Sequence, residues 1–195
     1  MSVREEHSQA TRAALIEAAR DLFATRGYAD TPTEEIVRGA KVTRGALYHH
    51  FRDKADLFQA VYEEVERELS TRTVEQGLQA ADDPLAQLQA GCEAFLDACR
   101  DPAVRQIAMI DGPAVLGWDL WREIDAKYGL GLIKMGLGVA MDSGAIERQP
   151  IDPLAHLILG ALVEGGMLVA HSSDGEATRT EVGASLRRLL AGLAS

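Results

Sequence analysis

The chain has 195 residues, 47% of them hydrophobic and 26% charged, with a formal net charge of −10. That hydrophobic share excludes a disordered chain, and the length allows one domain or two small ones with a proper core. The acidic balance also speaks against a non-specific architectural DNA binder, which would be broadly basic.

In chain order the apolar periodicity is helical throughout, with no convincing run of alternating β-branched residues, so the reading is all-α with about nine helices. The opening MSVREEHSQATR is charged and lacks an apolar stretch, which predicts no signal peptide and a cytoplasmic protein. Over 8–26, Leu15, Ala18, Ala19, Leu22 and Phe23 share one stripe, and Gly27 stops the helix. In TPTEEIVRGA, Thr31 is expected to cap a helix, with Pro32 at its first position and Glu34 completing a capping box. That helix ends at Ala40. Thr43 caps a second short helix carrying Leu47 and Phe51, and Asp53 caps a longer one through Leu57, Val61, Val65 and Leu69. The acid run Glu63, Glu64, Glu66 and Glu68 reads as a solvated face of that helix.

Further on, Asp-Pro at 83–84, 101–102 and 152–153 is expected to open a helix each time. DGP at 111–113 and DSGAIERQP at 142–150 read as breaks. SSDG at 172–175 separates an apolar helix over 153–171 from a last helix with Val182, Leu186, Leu189, Leu190 and Leu193. His156 and Glu164 interrupt the apolar helix, which argues for a buried helix rather than a membrane span. Cys92 and Cys99 lie seven apart, about 10.5 Å along a helix and too far for a disulfide. They read as reduced core thiols.

Charge is unevenly spread. Residues 38–54 carry Arg38, Lys41, Arg44, Arg52 and Lys54 against Asp53, a net of +4, which leaves −14 for the rest. Any polyanion site is therefore confined to this island. Two short helices with a three-residue turn, locked by Ile36, Ala40, Val42, Leu47 and Phe51, form a helix-turn-helix. Its second helix would enter the major groove, where Arg44 can reach guanine O6 and N7 in a bidentate pair. Small Gly45 and Ala46 let that helix sit close to the bases, and Tyr48, His49 and His50 follow on the outward side. Lys54 stands at the next helix start, which also favours a phosphate. Neighbouring His49 and His50 point about 100° apart and cannot share one ion, so no metal is expected there.

The stretch TPTEEIVRGAKVTRGALYHHFRDKADL, 31–57, resembles the DNA-binding signature of the tetracycline-repressor (TetR/AcrR) family of bacterial transcription regulators, a likeness covering about residues 8–60. The resemblance implies that Arg44, Gly45, Ala46 and His49 read bases while Thr33, Thr43, Tyr48, His50 and Lys54 hold phosphates. Lys41 departs from it, standing where the family usually has glycine. A lysine in a left-handed turn costs about 1 kcal/mol, so either the turn differs locally or Lys41 recovers the loss at a phosphate. The implied organisation is a DNA-binding domain over 1–53, a connector helix over 54–74 and an effector-binding and dimerisation domain over 75–195. The implied partners are a roughly palindromic double-stranded operator, an apolar small-molecule effector and a second copy of the chain, with no membrane and no cofactor. The implied function is a repressor that a ligand releases. A ligand-independent or activating regulator remains the alternative.

In the acidic remainder, Gly160, Ala161, Gly165 and Gly166 would let helices approach closely, either across a dimer interface or within one chain. For a ligand cavity the informative stretch is 112–138, with Trp118, Trp121, Tyr128 and Met135 and glycines at 129, 131, 136 and 138. Cys92, Phe95 and Met109 are further lining candidates, and His156 with Glu164 could supply a polar anchor. The aromatic and Met residues could equally fill core, and the anchor pair could face solvent or each other across a dimer. An enzyme is not expected: there is no GxSxG elbow, phosphate loop, HExxH or metal-spaced Cys/His set.

Overall fold

The computed structural model describes residues 3–194, with side chains from residue 5 onward. Among the described residues there are ten α-helices: α1 (Val3–Arg26), α2 (Thr33–Gly39), α3 (Arg44–His50), α4 (Lys54–Ala80), α5 (Pro84–Ala98), α6 (Gly112–Leu116), α7 (Trp118–Asp125), α8 (Gly131–Asp142), α9 (Ile151–His171) and α10 (Gly175–Ala191). A π-helical stretch, Val104–Asp111, runs straight into α6, and a second, Ala126–Leu130, joins α7 to α8. The twelve segments therefore make nine continuous rods. The one β feature described is an antiparallel bridge between Ile146 and Ala194.

Local signals account for most helix starts. Thr43, Asp53 and Asp83 each accept a hydrogen bond from the backbone N–H three residues on, and Pro84 follows as first residue of α5. Asp101 accepts from the N–H of Ala103 at 2.9 Å where the next rod opens. Gly27 ends α1 at a φ of +80°.

Four expectations need correction. Thr31 does not cap α2: it is buried, and its hydroxyl donates to the Gly27 carbonyl at 2.8 Å. With that hydroxyl used to satisfy the end of α1, Pro32 takes the cap position and no capping box forms. DGP does not break the chain. The wider π turn ahead of Pro113 moves the carbonyl with which its ring would collide, and the rod continues to a true break at Gly117, φ +76°. Asp152 does not open α9, which starts one residue earlier. It stands in the first turn and pairs with Lys134 at 2.7 Å. Glu66 is no solvated residue but lies buried, unlike its neighbours in the acid run.

The helices α1 to α3 pack with the start of α4 around Leu15, Ala19, Phe23, Ile36, Leu47, Leu57 and Phe58, all fully buried. Phe23 and Phe58 meet edge to face at 5.4 Å between centroids. Each such aliphatic or aromatic side chain contributes about 1.5–3 kcal/mol by leaving water. This core runs without interruption along α4, through Val61, Tyr62 and Val65, into the larger bundle.

There α4 and α5 form a close hairpin: a Cβ on Gly77 would lie 2.9 Å from the Gln87 carbonyl, so only glycine fits that approach. Helix α9 is long and apolar enough to cross a membrane by length and composition. In the fold its inner face, with Ala155, Ile158, Leu159, Leu162, Val163 and Val169, packs on α5, α8 and α10. Gly165 and Gly166 also face inward, because Cβ atoms there would meet Val182 and Cys99 at 2.8 Å. Gly160 points into open space and Ala161 is exposed. The four small residues thus split between an inner and an outer face.

Candidate functional site

The turn between α2 and α3 sets the first candidate surface. Lys41 adopts φ +56°, alone among non-glycine residues described, and the N–H of Val42 donates back to the Val37 carbonyl at 3.0 Å. This is a Schellman-type ending that favours glycine in the left-handed position. Leu47 and Phe51 face inward, and Arg12 stacks over the Phe51 ring at 5.2 Å. Arg44, Gly45, Tyr48 and His49 are left on the exposed face of α3. A Cβ on Gly45 would find nothing nearer than the Thr43 hydroxyl at 3.8 Å, so that face is open for close approach.

Arg44 lies over Tyr48 at 5.6 Å and 3.3 Å from Glu34. Both members of that ion pair are exposed, and such pairs contribute little, so Arg44 is free to exchange Glu34 for another partner. Thr33 is half-buried at the start of α2, and Lys41 and Thr43 are exposed in the turn that leads into α3. His50 is half-buried, and burial, then His49 and Arg12, pull its pKa below the usual value. Lys54 sits over the Tyr28 ring at 4.1 Å, partly buried, with its pKa drawn down by that burial.

The second candidate is a cavity of about 390 Å³ in the larger bundle. Its walls come mainly from α4, α5, α8 and α9, with Leu69, Leu88, Phe95, Ile133, Leu159 and Leu162 among the apolar lining and Asp125 of α7 and Gly129 of the second π stretch completing it. Of the expected lining residues, Cys92, Phe95 and Met135 are there, as are Gly129 and Gly136. Burial pushes the Cys92 thiol up to about 12, so it serves as an apolar group.

The other six lie elsewhere. Met109 is buried in core beside Gly166. Trp118 is 68% exposed, while Trp121 is packed into core with its indole N–H lacking an acceptor. Tyr128 borders a separate polar cleft between α1, α4 and the second π stretch. His156 and Glu164 are exposed on α9, so they form no anchor inside the cavity.

The polar wall comes instead from Glu66 and Asp125. Glu66 stands four residues after Tyr62 and three before Leu69, on the buried stripe of α4. That spacing was the available signal, and its charge and three acidic neighbours concealed it. Burial, reinforced by Asp125, pushes the Glu66 carboxyl up to about 8. Burial likewise lifts Asp125 to about 6, although Arg122 at 2.7 Å pulls the other way. The Tyr62 hydroxyl, raised by its burial, faces Glu66 and the Trp121 indole.

Both π stretches make polar contacts with the elements that join the head to the bundle. Asp111 accepts from the Tyr28 backbone N–H at 2.8 Å and from Gln106 at 3.1 Å, tying the bundle to the ring that carries Lys54. Lys127 donates to Glu63 of α4 at 2.8 Å, and Ser70 of α4 donates to the Tyr128 carbonyl at 3.4 Å.

Against known proteins, residues 15–61 match the model of bacterial regulatory proteins of the tetR family, and residues 85–193 match the tetracyclin repressor-like C-terminal domain. The crystal structure of a TetR-family transcriptional regulator from Pectobacterium atrosepticum is 32% identical, with a TM-score of 0.88 over 100% of this chain and 98% of that one. The A-factor receptor protein of Streptomyces griseus is 30% identical over 92% of this chain and 62% of its own length. The Tn10 TetC protein of Escherichia coli is 26% identical over 80% of this chain and 79% of its own. RolR, crystallised with the ligand resorcinol, shares the fold at a TM-score of 0.74 and 21% identity, over 95% of this chain and 89% of that one.

Proposed function

Since the chain belongs to the TetR family and is a DNA-binding transcriptional regulator, we propose that it acts as a homodimeric repressor released from its operator by an apolar small molecule in the α4–α5–α8–α9 cavity. The observation that carries this reading is the position of the cavity. It opens against α4, the same helix whose first residue, Lys54, lies four positions beyond the end of α3.

In the reading head, Arg44, Gly45, Ala46 and His49 meet base edges while Thr33, Lys41, Thr43, Tyr48, His50 and Lys54 meet phosphates. One seven-residue helix per chain offers little surface, so two copies address two half-sites about one helical turn or more apart. Exposed Leu157, Ala161 and Leu168 on α9 and Leu189 on α10 supply an apolar face for the second copy, with Gly160 allowing close approach. Filling the cavity displaces the wall at 125–136. The Lys127–Glu63 and Ser70–Tyr128 contacts pass that displacement to α4, and Asp111 passes it to Tyr28. The spacing of the two α3 helices then no longer fits both half-sites. That the A-factor receptor is by name a receptor, and that RolR was crystallised with resorcinol, accords with a ligand-responsive body.

Selection of bound DNA from a random pool tests the first half: one roughly palindromic consensus is expected, and diffuse binding without consensus would overturn it. Linkage tests the second. Any ligand that occupies the cavity must bind the operator complex more weakly by the factor by which it weakens DNA binding, with a coupling of about 1–3 kcal/mol. A cavity ligand that leaves operator affinity unchanged removes the cavity as the switch.

A further inference from the structure

The cavity is lined mostly by apolar side chains, and its two carboxyl groups, Glu66 and Asp125, have one cation between them. Asp125 is matched by Arg122 at 2.7 Å. Glu66 is not matched: the groups that act on it are Tyr62 from its own helix and Asp125 across the wall, and it acts in turn on Cys99 at the end of α5. None of these is a cation, and among the described residues Glu66 enters no ion pair. A carboxylate in an apolar wall is costly unless it is paired, and no cationic side chain pairs Glu66, so its neutral form is favoured. The neighbour of Glu66 on its own helix is the neutral Tyr62 hydroxyl, which also faces the buried Trp121 indole.

Resting on the effector cavity proposed above, we propose that the effector is an apolar molecule bearing one organic ammonium group, seated with its cation against Glu66 and its hydrocarbon among Leu69, Leu88, Phe95, Ile133 and Leu159. The cation supplies the opposite charge that an ionised Glu66 needs, and the hydrocarbon supplies the area that drives entry. Proton balance follows. With its carboxyl pushed up to about 8, Glu66 holds a proton in the empty cavity at pH 7. Seating an ammonium group stabilises the carboxylate, the Glu66 O–H bond breaks, and about one proton passes to solvent for each ligand bound. A neutral ligand of the same shape releases none.

Three probes of one shape separate the possibilities: 1-naphthylmethylamine in its protonated form, 1-naphthylmethanol, and 1-naphthoate. Calorimetric titration of the full chain in phosphate and in Tris at pH 7 reads affinity and proton release together. The wild type is expected to prefer the amine over the alcohol by about 10- to 100-fold, the range of a charge-assisted contact. It should bind 1-naphthoate most weakly and release close to one proton with the amine. Glu66→Gln should bring amine and alcohol within about threefold and abolish proton release, while unchanged alcohol affinity shows that the variant is folded. Asp125→Asn, whose carboxylate already has Arg122, should keep most of the preference. If Glu66→Gln fails to fold, wild-type selectivity and proton release decide the matter.

Equal affinity for amine and alcohol, or preference for the carboxylate, overturns the ammonium assignment and leaves the cavity standing as an effector site. Loss of preference in Asp125→Asn with retention in Glu66→Gln overturns it as well. Failure of all three probes to bind removes the cavity reading itself, and this proposal with it.

Discussion

The helix-turn-helix head and the helical body use the same construction, capped helices closed over an aliphatic core, but they keep their charge in opposite places. In the head every charge of the turn and of α3 stands outside: Arg44 and Lys41 are exposed, and the Arg44–Glu34 pair is open to water. In the body two carboxylates stand inside, on the wall of an apolar cavity. An outward charge costs nothing to keep and can be offered at once to a polyanion. An inward one must be paired, as Asp125 is by Arg122, or keep its proton, as burial favours for Glu66. A DNA-binding surface and an apolar cavity thus place the same kinds of residue differently.

The largest test of that contrast is whether the two regions come apart. Leu47 is fully buried in the head, and Leu47→Ala should cost about 2–5 kcal/mol and abolish DNA binding. If head and body are separable, ligand binding in the cavity survives; denaturation followed by tryptophan emission, which reports only on the body, checks this. Loss of both would show that the continuous core along α4 makes them one cooperative unit.

The pH dependence of stability sharpens the inward side. Glu66 has its folded pKa raised from the ordinary 4.5 to about 8. Below about pH 4.5 it is protonated in both states and contributes no slope. As the pH rises towards 8 the unfolded chain ionises while the folded chain keeps its proton, so stability falls. Glu66→Gln removes that loss. Its advantage over the wild type should therefore grow with pH, by at most about 1.4 kcal/mol per unit, and level off above about 8. Melting curves from pH 5 to 9 read it, and a constant offset would place Glu66 in water after all.

On the outward side, Arg44→Ala should cost about 1–3 kcal/mol per half-site and relax preference at one base pair. Lys54→Ala should weaken all sequences alike. With two or three cationic phosphate contacts per subunit the dimer's log–log salt slope is about −4 to −5, and losing one per subunit flattens it by nearly two units. Unchanged base preference in Arg44→Ala would move the reading helix elsewhere.

The smallest effect is at Lys41. Lys41→Gly should stabilise the head by about 1 kcal/mol by relieving the left-handed backbone. If the same variant also loses operator affinity at low salt, the strain is kept because the ammonium group meets a phosphate. Unchanged affinity would leave the lysine unexplained.

What could be read from the chain alone follows the range of the forces involved. The head's site spans 33–54, and its caps at Thr43 and Asp53, its inward Leu47 and Phe51 and its outward Arg44 depend on spacing within a few turns of helix. The left-handed turn at Lys41 was suggested only by the family resemblance, with a locally different turn as the alternative, and the structure has the left-handed one. Thr31 was misjudged because its hydroxyl had two local uses, a cap for α2 or a partner for the Gly27 carbonyl, and burial selected the second.

The body's site draws on residues from 66 to 162, and no local rule decides which face of α7 meets which face of α4. Tertiary packing turned Trp118 outward and Trp121 into core, sent His156 and Glu164 to the surface, and separated Gly160 from Gly165 and Gly166. It also brought Glu66 and Asp125, 59 positions apart, to one wall. Capping and helical periodicity act over three or four residues and are written in order along the chain. A cavity is the space that several helices fail to fill, and it exists only once all of them are in place.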